Sequence, residues 1–147
     1  MEVRYTESGT VDAPPEAAYD LRADFTRLAD YNPNVTNLRR TDGGDALGAG
    51  AVYAFDVTIA DMGGTVSSVL TVLEAEHPSR VATRTDSGVF SALEEVRFEP
   101  EGGGTRVTFD VIVELPDDME AIAPIVDSSG REQVRLELDH MAKVLVS

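Results

Sequence analysis

Two hydrophobic periods divide the 147-residue chain. Ala51 to Ala60 alternates with period two, setting Tyr53, Phe55, Val57 and Ile59 on one face and Val52, Ala54, Asp56 and Thr58 on the other. Phe90 to Glu99 groups Phe90, Ala92, Val96 and Phe98 in the same way, and Thr105 to Glu114 groups Val107, Phe109, Val111 and Val113. Side chains on a pleated strand point alternately to opposite faces, so these stretches read as antiparallel strands buried on one side. Further strands are predicted at Glu2 to Thr10, Val35 to Thr41, Thr65 to Ala75 and Arg80 to Thr85. Turn signals separate them at Asp42-Gly43-Gly44, Met62-Gly63-Gly64, His77-Pro78, Asp86-Ser87-Gly88 and Glu101-Gly102-Gly103-Gly104.

Two stretches follow the helical period instead. Pro14 and Pro15 suit an opening turn, where a missing N–H is no loss, and Ala17, Ala18 and Leu21, then Phe25 and Leu28, continue the apolar face. Asp24 is placed to cap a second short helix, which Tyr31-Asn32-Pro33-Asn34 ends because the residue before proline avoids the α region. At the C-terminus Val134, Leu138, Met141 and Leu145 form an apolar stripe, with Glu132, Arg135, Asp139 and Lys143 away from it. Two starts are open for this helix. Ser129 with Glu132 matches a capping box; a start near Pro124 instead carries Gly130 inside the helix at about 1 kcal/mol relative to alanine.

The element order is therefore strand, two short helices, six strands and a long helix. The half-buried sheet has one apolar face to cover, and the terminal helix is the element large enough to cover it. A sheet curving around a helix can leave space between them, and that space is the natural ligand site.

Length supports one domain, 1–147, with a core that needs neither metal nor disulfide. There is no cysteine, which removes thiolate nucleophiles and Cys-ligated metal sites. The formal charge of −15 disfavours phosphate backbones and anionic lipid headgroups, so neither nucleic acid nor stable membrane insertion is expected. No apolar run reaches the roughly 20 residues of a membrane span and the first residues lack a signal-peptide pattern, so a cytoplasmic location is expected. The acidic residues are dispersed along the chain and Lys143 is its one lysine. A host with high internal salt produces such a surface, as does an ordinary soluble acidic protein; of the two, the saline host is the expectation.

The stretch Val11-Asp12-Ala13-Pro14-Pro15-Glu16-Ala17-Ala18-Tyr19-Asp20-Leu21, with Asp24-Phe25 and Tyr31-Asn32-Pro33 after it, resembles the opening of the SRPBCC superfamily, which includes START and Bet v 1 proteins, and in particular its polyketide cyclase/dehydrase branch. Phe98-Glu99-Pro100 before Gly103-Gly104-Thr105-Arg106-Val107-Thr108-Phe109 resembles that family's glycine turn into its last strand. The resemblance covers essentially the whole chain and implies an α+β helix-grip fold: a seven-stranded curved antiparallel sheet wrapped around a long C-terminal helix, with two short helices between strands 1 and 2. It also implies an internal pocket for a small hydrophobic molecule such as a lipid, isoprenoid or polyketide-like compound. Tyr31 departs from the tryptophan that members often carry; its hydroxyl then lies at the pocket mouth or in solvent.

Ligand contacts are expected from Tyr53, Phe55, Val57, Phe90, Phe98 and Phe109 on the sheet, from Val134, Leu138 and Met141 on the helix, and from Tyr31 near the entrance. Glu94 shares the parity of Phe90, Ala92, Val96 and Phe98 and so points inward, where burial raises a carboxyl pKa and suits acid–base work. The plainer alternatives are a bulge that turns it outward, or a structural pair with Arg84 or Arg97. Arg84, if inward, would orient a ligand carbonyl or carboxylate; outward, it is a solvated charge. His77 and His140 lie far apart and give no metal-ligand spacing, so no metal and no cofactor are expected. Binding in a monomer or homodimer is thus the first functional reading. A cofactor-independent cyclase or dehydratase with Glu94 as catalyst, helped by Tyr53 or Arg84, is the second. A protein-interaction module is the third.

Overall fold

The structure, a computed structural model, describes residues 1–59, 63–88 and 90–146. Strand β1 (Glu2–Val11) leads to α1 (Pro15–Ala23), a 3-10 turn (Phe25–Arg27) and the four-residue α2 (Leu28–Tyr31). Six strands follow: β2 (Val35–Arg40), β3 (Val52–Ile59), β4 (Gly64–Glu76), β5 (Arg80–Asp86), β6 (Ser91–Glu101) and β7 (Gly104–Glu114). A second 3-10 turn (Asp117–Ile122) enters the long helix α3 (Ala123–Leu145). All seven predicted strands are present, within one or two residues of their expected ends; Ala60 and the Met62 of one predicted turn lie outside the described residues.

One antiparallel sheet contains every strand, in the order β1-β7-β6-β5-β4-β3-β2. The chain crosses from β1 at one edge to β2 at the other through α1 and α2, so these short helices lie across one end of the concave face. Val107, Phe109, Val111 and Val113 of β7 all face inward and are buried, as period two requires. The curved sheet closes on α3, whose Val134, Leu138 and Met141 are buried in the shared core. Asp24 caps the first 3-10 turn, its Oδ1 accepting from the Thr26 N–H at 3.2 Å.

Of the two starts open for α3, the structure takes the one near Pro124. Ile122 is the N-cap and Pro124 lies in the first turn, so Ser129 is inside the helix and makes no capping box with Glu132. A close approach explains the interior glycine: a Cβ on Gly130 would run into the phenol ring of Tyr5. Gly104 is required similarly, since a Cβ there would strike the Val11 carbonyl oxygen, while the buried Thr105 hydroxyl donates to the Ala13 carbonyl at 2.7 Å. Among the described residues no helix is long and apolar enough to cross a membrane.

Candidate functional site

The short helices and the turn between them cover one end of the concave face. Ala18, Leu21 and Phe25 are buried there, Tyr19 meets Phe98 edge-on at 5.6 Å, and Phe25 packs against Tyr53 at 5.7 Å between ring centres. Space remains beside these helices, between the sheet and α3. Among the described residues it includes two neighbouring chambers that share Phe55, Val57, Thr85 and Gln133 as lining.

The outer chamber, about 170 Å³, is half-enclosed and mostly apolar. Phe55, Val57, Ile59, Phe90 and Ala92 form its floor, and Val126, Ser129 and Gly130 its ceiling. The inner chamber, about 140 Å³, ends on charge: Arg22, Glu94 and Glu137 line it with Asn32 and Gln133. Arg22 is only 3% exposed. It projects from the buried face of α1 and its guanidinium carbon stands 4.9 Å from the ring centre of Phe25 and 5.3 Å from that of Phe109, an aromatic cradle for a desolvated cation.

Three groups hold this guanidinium. Its Nη1 donates to the Tyr31 hydroxyl at 3.0 Å, its Nη2 donates to Glu94 in a short ion pair, and the same nitrogen stands 3.8 Å from Glu137 Oε1. Glu137 in turn accepts from Asn32 Nδ2 at 2.8 Å through its other oxygen. Among the described residues Glu137 Oε1 and Arg22 Nε have no hydrogen-bond partner, although both are buried.

Burial sets the protonation of the cluster. It pushes the Glu137 carboxyl up to about 7, with Glu94 adding to the rise and Arg22 and the Asn32 hydrogen bond offsetting part of it. Burial also pushes the Tyr31 phenol up to about 12, partly offset by Arg22. Burial by itself would loosen the Arg22 proton, but Tyr31, Glu94 and Glu137 reverse this and hold it above its ordinary value. The cluster therefore contains one firm cation and two carboxyl groups, one of which takes up a proton near neutrality.

The structure brings together part of the residue set expected from sequence. Phe55, Val57, Phe90 and Glu94 line the chambers. Glu94 does point inward; neither a bulge nor a pair with Arg84 or Arg97 is its fate, because Arg22 reaches it from α1. Arg84 is corrected: it lies on the convex face beside Asp86 at 3.3 Å and does not reach the cavity. Tyr31 is corrected as well, since its ring is fully buried behind Arg22, neither at a mouth nor in solvent. Tyr53, Phe98 and Phe109 are core, because α1 and Phe25 occupy the space in front of them. Val134, Leu138 and Met141 are core too, and the helix residues that line the chambers lie on the neighbouring face, at Val126, Ser129, Gly130, Gln133 and Glu137.

Arg22 and Glu137 are the charged groups of the inner chamber that periodicity alone misses. A signal was nevertheless present. Arg22 stands four residues after Ala18 and three before Phe25, inside an apolar stripe, and Glu137 adjoins the stripe of Val134 and Leu138.

The family model described as polyketide cyclase / dehydrase and lipid transport matches residues 2–146. The chain belongs to this family. No curated protein matches it. Among solved structures, this family member is similar to TTHA0849 from Thermus thermophilus, with 25% identity over 99% of this chain and 97% of the other, at a TM-score of 0.79. The Zhui aromatase/cyclase from Streptomyces sp. R1128 superposes at a TM-score of 0.82 with 14% identity, over 99% and 94% of the two chains. Ara h 8.0201 does so at 0.77 with 13% identity, over the whole of both. The last two likenesses establish the Bet v 1-like fold.

Proposed function

We propose that this polyketide cyclase/dehydrase family member binds a small, mostly hydrophobic molecule between the sheet and α3. One observation carries the reading: the half-enclosed chamber of about 170 Å³ floored by Phe55, Val57, Phe90 and Ala92 and roofed by Val126 to Gly130. Removing apolar ligand surface from water against such walls contributes about 25 cal/mol per Å². The modest volume of each chamber favours a compound of one or two rings over a long acyl chain. Ligand-detected NMR with a panel of uncharged one- and two-ring aromatics and short isoprenoid alcohols tests this. Binding to the wild type, and at least a tenfold loss in Ala92→Phe with an unchanged circular dichroism spectrum, is the expected result. A wild type that binds no member of the panel overturns the reading.

A second reading has a specific observation in its favour, the ionisable cluster at the end of the inner chamber. A carboxyl with its pKa near 7 suits proton transfer at neutral pH. In a dehydration, Glu137 would take the proton from the carbon next to a ketone and return it to the departing β-hydroxyl, so that a C–O bond breaks, a C=C bond forms and water leaves. Arg22 Nε, the guanidinium N–H without a protein partner among the described residues, would hydrogen-bond the developing enolate oxygen, with Glu94 positioning Arg22. A β-hydroxy ketone probe whose conversion to the conjugated enone, read by absorbance, is no faster with protein than in buffer eliminates this reading and leaves binding.

A further inference from the structure

The charged end of the inner chamber has a definite donor and acceptor balance. Two carboxyl groups, Glu94 and Glu137, face one guanidinium, so no cation is left over to receive an anionic ligand. The Arg22 fork is already engaged, by the Tyr31 hydroxyl on one nitrogen and Glu94 on the other. A ligand carboxylate would have to displace Glu94 and would put three acidic groups around one arginine.

An ammonium is disfavoured for a different reason. It brings three N–H groups, whereas the neighbouring amide oxygens already accept: Asn32 Oδ1 from the Asn34 N–H at 3.1 Å, and Gln133 Oε1 from Asn34 Nδ2 at 3.4 Å. It would also stand beside the Arg22 guanidinium, whose Nη2 is 3.8 Å from Glu137 Oε1. The acceptor whose need is unmet is Glu137 Oε1, a buried oxygen with no donor from the protein among the described residues; Arg22 Nε, the other buried atom of the cluster without a partner, is a donor. One O–H meets that need without adding charge.

We propose that the inner chamber selects an uncharged ligand carrying a hydroxyl, of phenol or enol type, which donates to Glu137 while the ring body lies against Phe55 and Phe90 in the outer chamber. This rests on the binding function proposed above and deepens it, because it turns the chamber into a filter against carboxylic acids and amines of the same shape. A site built to bond a hydroxyl discriminates strongly against analogues that lack it.

Four probes of matched shape separate the possibilities: naphthalene, 2-naphthol, 2-naphthoate and 2-naphthylmethylammonium, titrated against the full chain at neutral pH. The expected order has 2-naphthol at least fivefold tighter than naphthalene and at least tenfold tighter than either ion. In Glu137→Leu the advantage of 2-naphthol over naphthalene disappears. Should that variant not fold, Glu137→Gln, which keeps the partner of Asn32 but removes the acid, is expected to improve 2-naphthoate binding at least threefold. Naphthalene binding as tightly as 2-naphthol, or either ion binding as tightly, overturns the filter and leaves the binding function standing. Failure of both naphthalene and 2-naphthol to bind overturns the two together.

Discussion

Glu137 links the cavity to the stability of the protein. Its side chain is 14% exposed, and burial holds its carboxyl near 7, above the ordinary value of 4.5. In the unfolded chain the group loses its proton around its ordinary value, so between those two pH values the native state holds more protons than the unfolded one. The stabilisation that comes from keeping Glu137 neutral is therefore complete below about 4.5, declines as pH rises, and is gone above about 7. Glu7 and Asp42, paired with arginines and held below their ordinary values, act in the opposite direction at more acid pH. The comparison that isolates Glu137 is wild type against Glu137→Gln, by urea unfolding at several pH values. The wild type is expected to lose up to about 3 kcal/mol relative to the variant between pH 4.5 and 7. A difference that is flat across that window would show that Glu137 is not the buried acid.

At the scale of elements, α3 divides into halves with different tasks. Val134, Leu138 and Met141 anchor its second half in the core, while Val126 to Gln133 form the cavity ceiling. Gly130 decides how closely that ceiling approaches β1. Helix propensity by itself expects Gly130→Ala to stabilise by about 1 kcal/mol. The approach of the Tyr5 ring reverses the sign, and a loss of about 1 to 3 kcal/mol in urea unfolding is expected. A stabilised variant would mean that Tyr5 swings away without cost.

The same division explains what was legible in the sequence. Strands and helices announce themselves through period and turn residues, down to the inward parity of Glu94, while the helix-grip arrangement came from the family resemblance and the strand order only from the structure. Which inward side chains meet the cavity was not legible, because that depends on how far α1 folds down onto the sheet. Phe109 and Phe55 have the same parity signal, yet Arg22 covers the first and leaves the second open to the chambers. Arg22 was hidden for a related reason: a charge inside a short apolar stripe reads as solvated until a second element supplies its partners.

For the molecule as a whole, the charge of −15 is a repulsion distributed over the surface. Most of the arginines are already paired there, as Arg80 is with Glu74 and Glu95 and Arg131 with Glu7 and Asp127, so the excess acid has little cation left to neutralise it. At about 1 M salt, screening acts over roughly 3 Å, which removes most of the repulsion and weakens only the exposed pairs. The urea midpoint is expected to rise between dilute buffer and about 1 M KCl. A fall would mean that the surface pairs contribute more than the repulsion costs.

The unequal halves of α3 carry a consequence for how such a protein diversifies. Because Val134, Leu138 and Met141, which grip the helix, are separate from Ser129 and Gln133 in its roof, replacements at those two positions are expected, under the binding function proposed above, to change which molecules enter while the helix stays fastened.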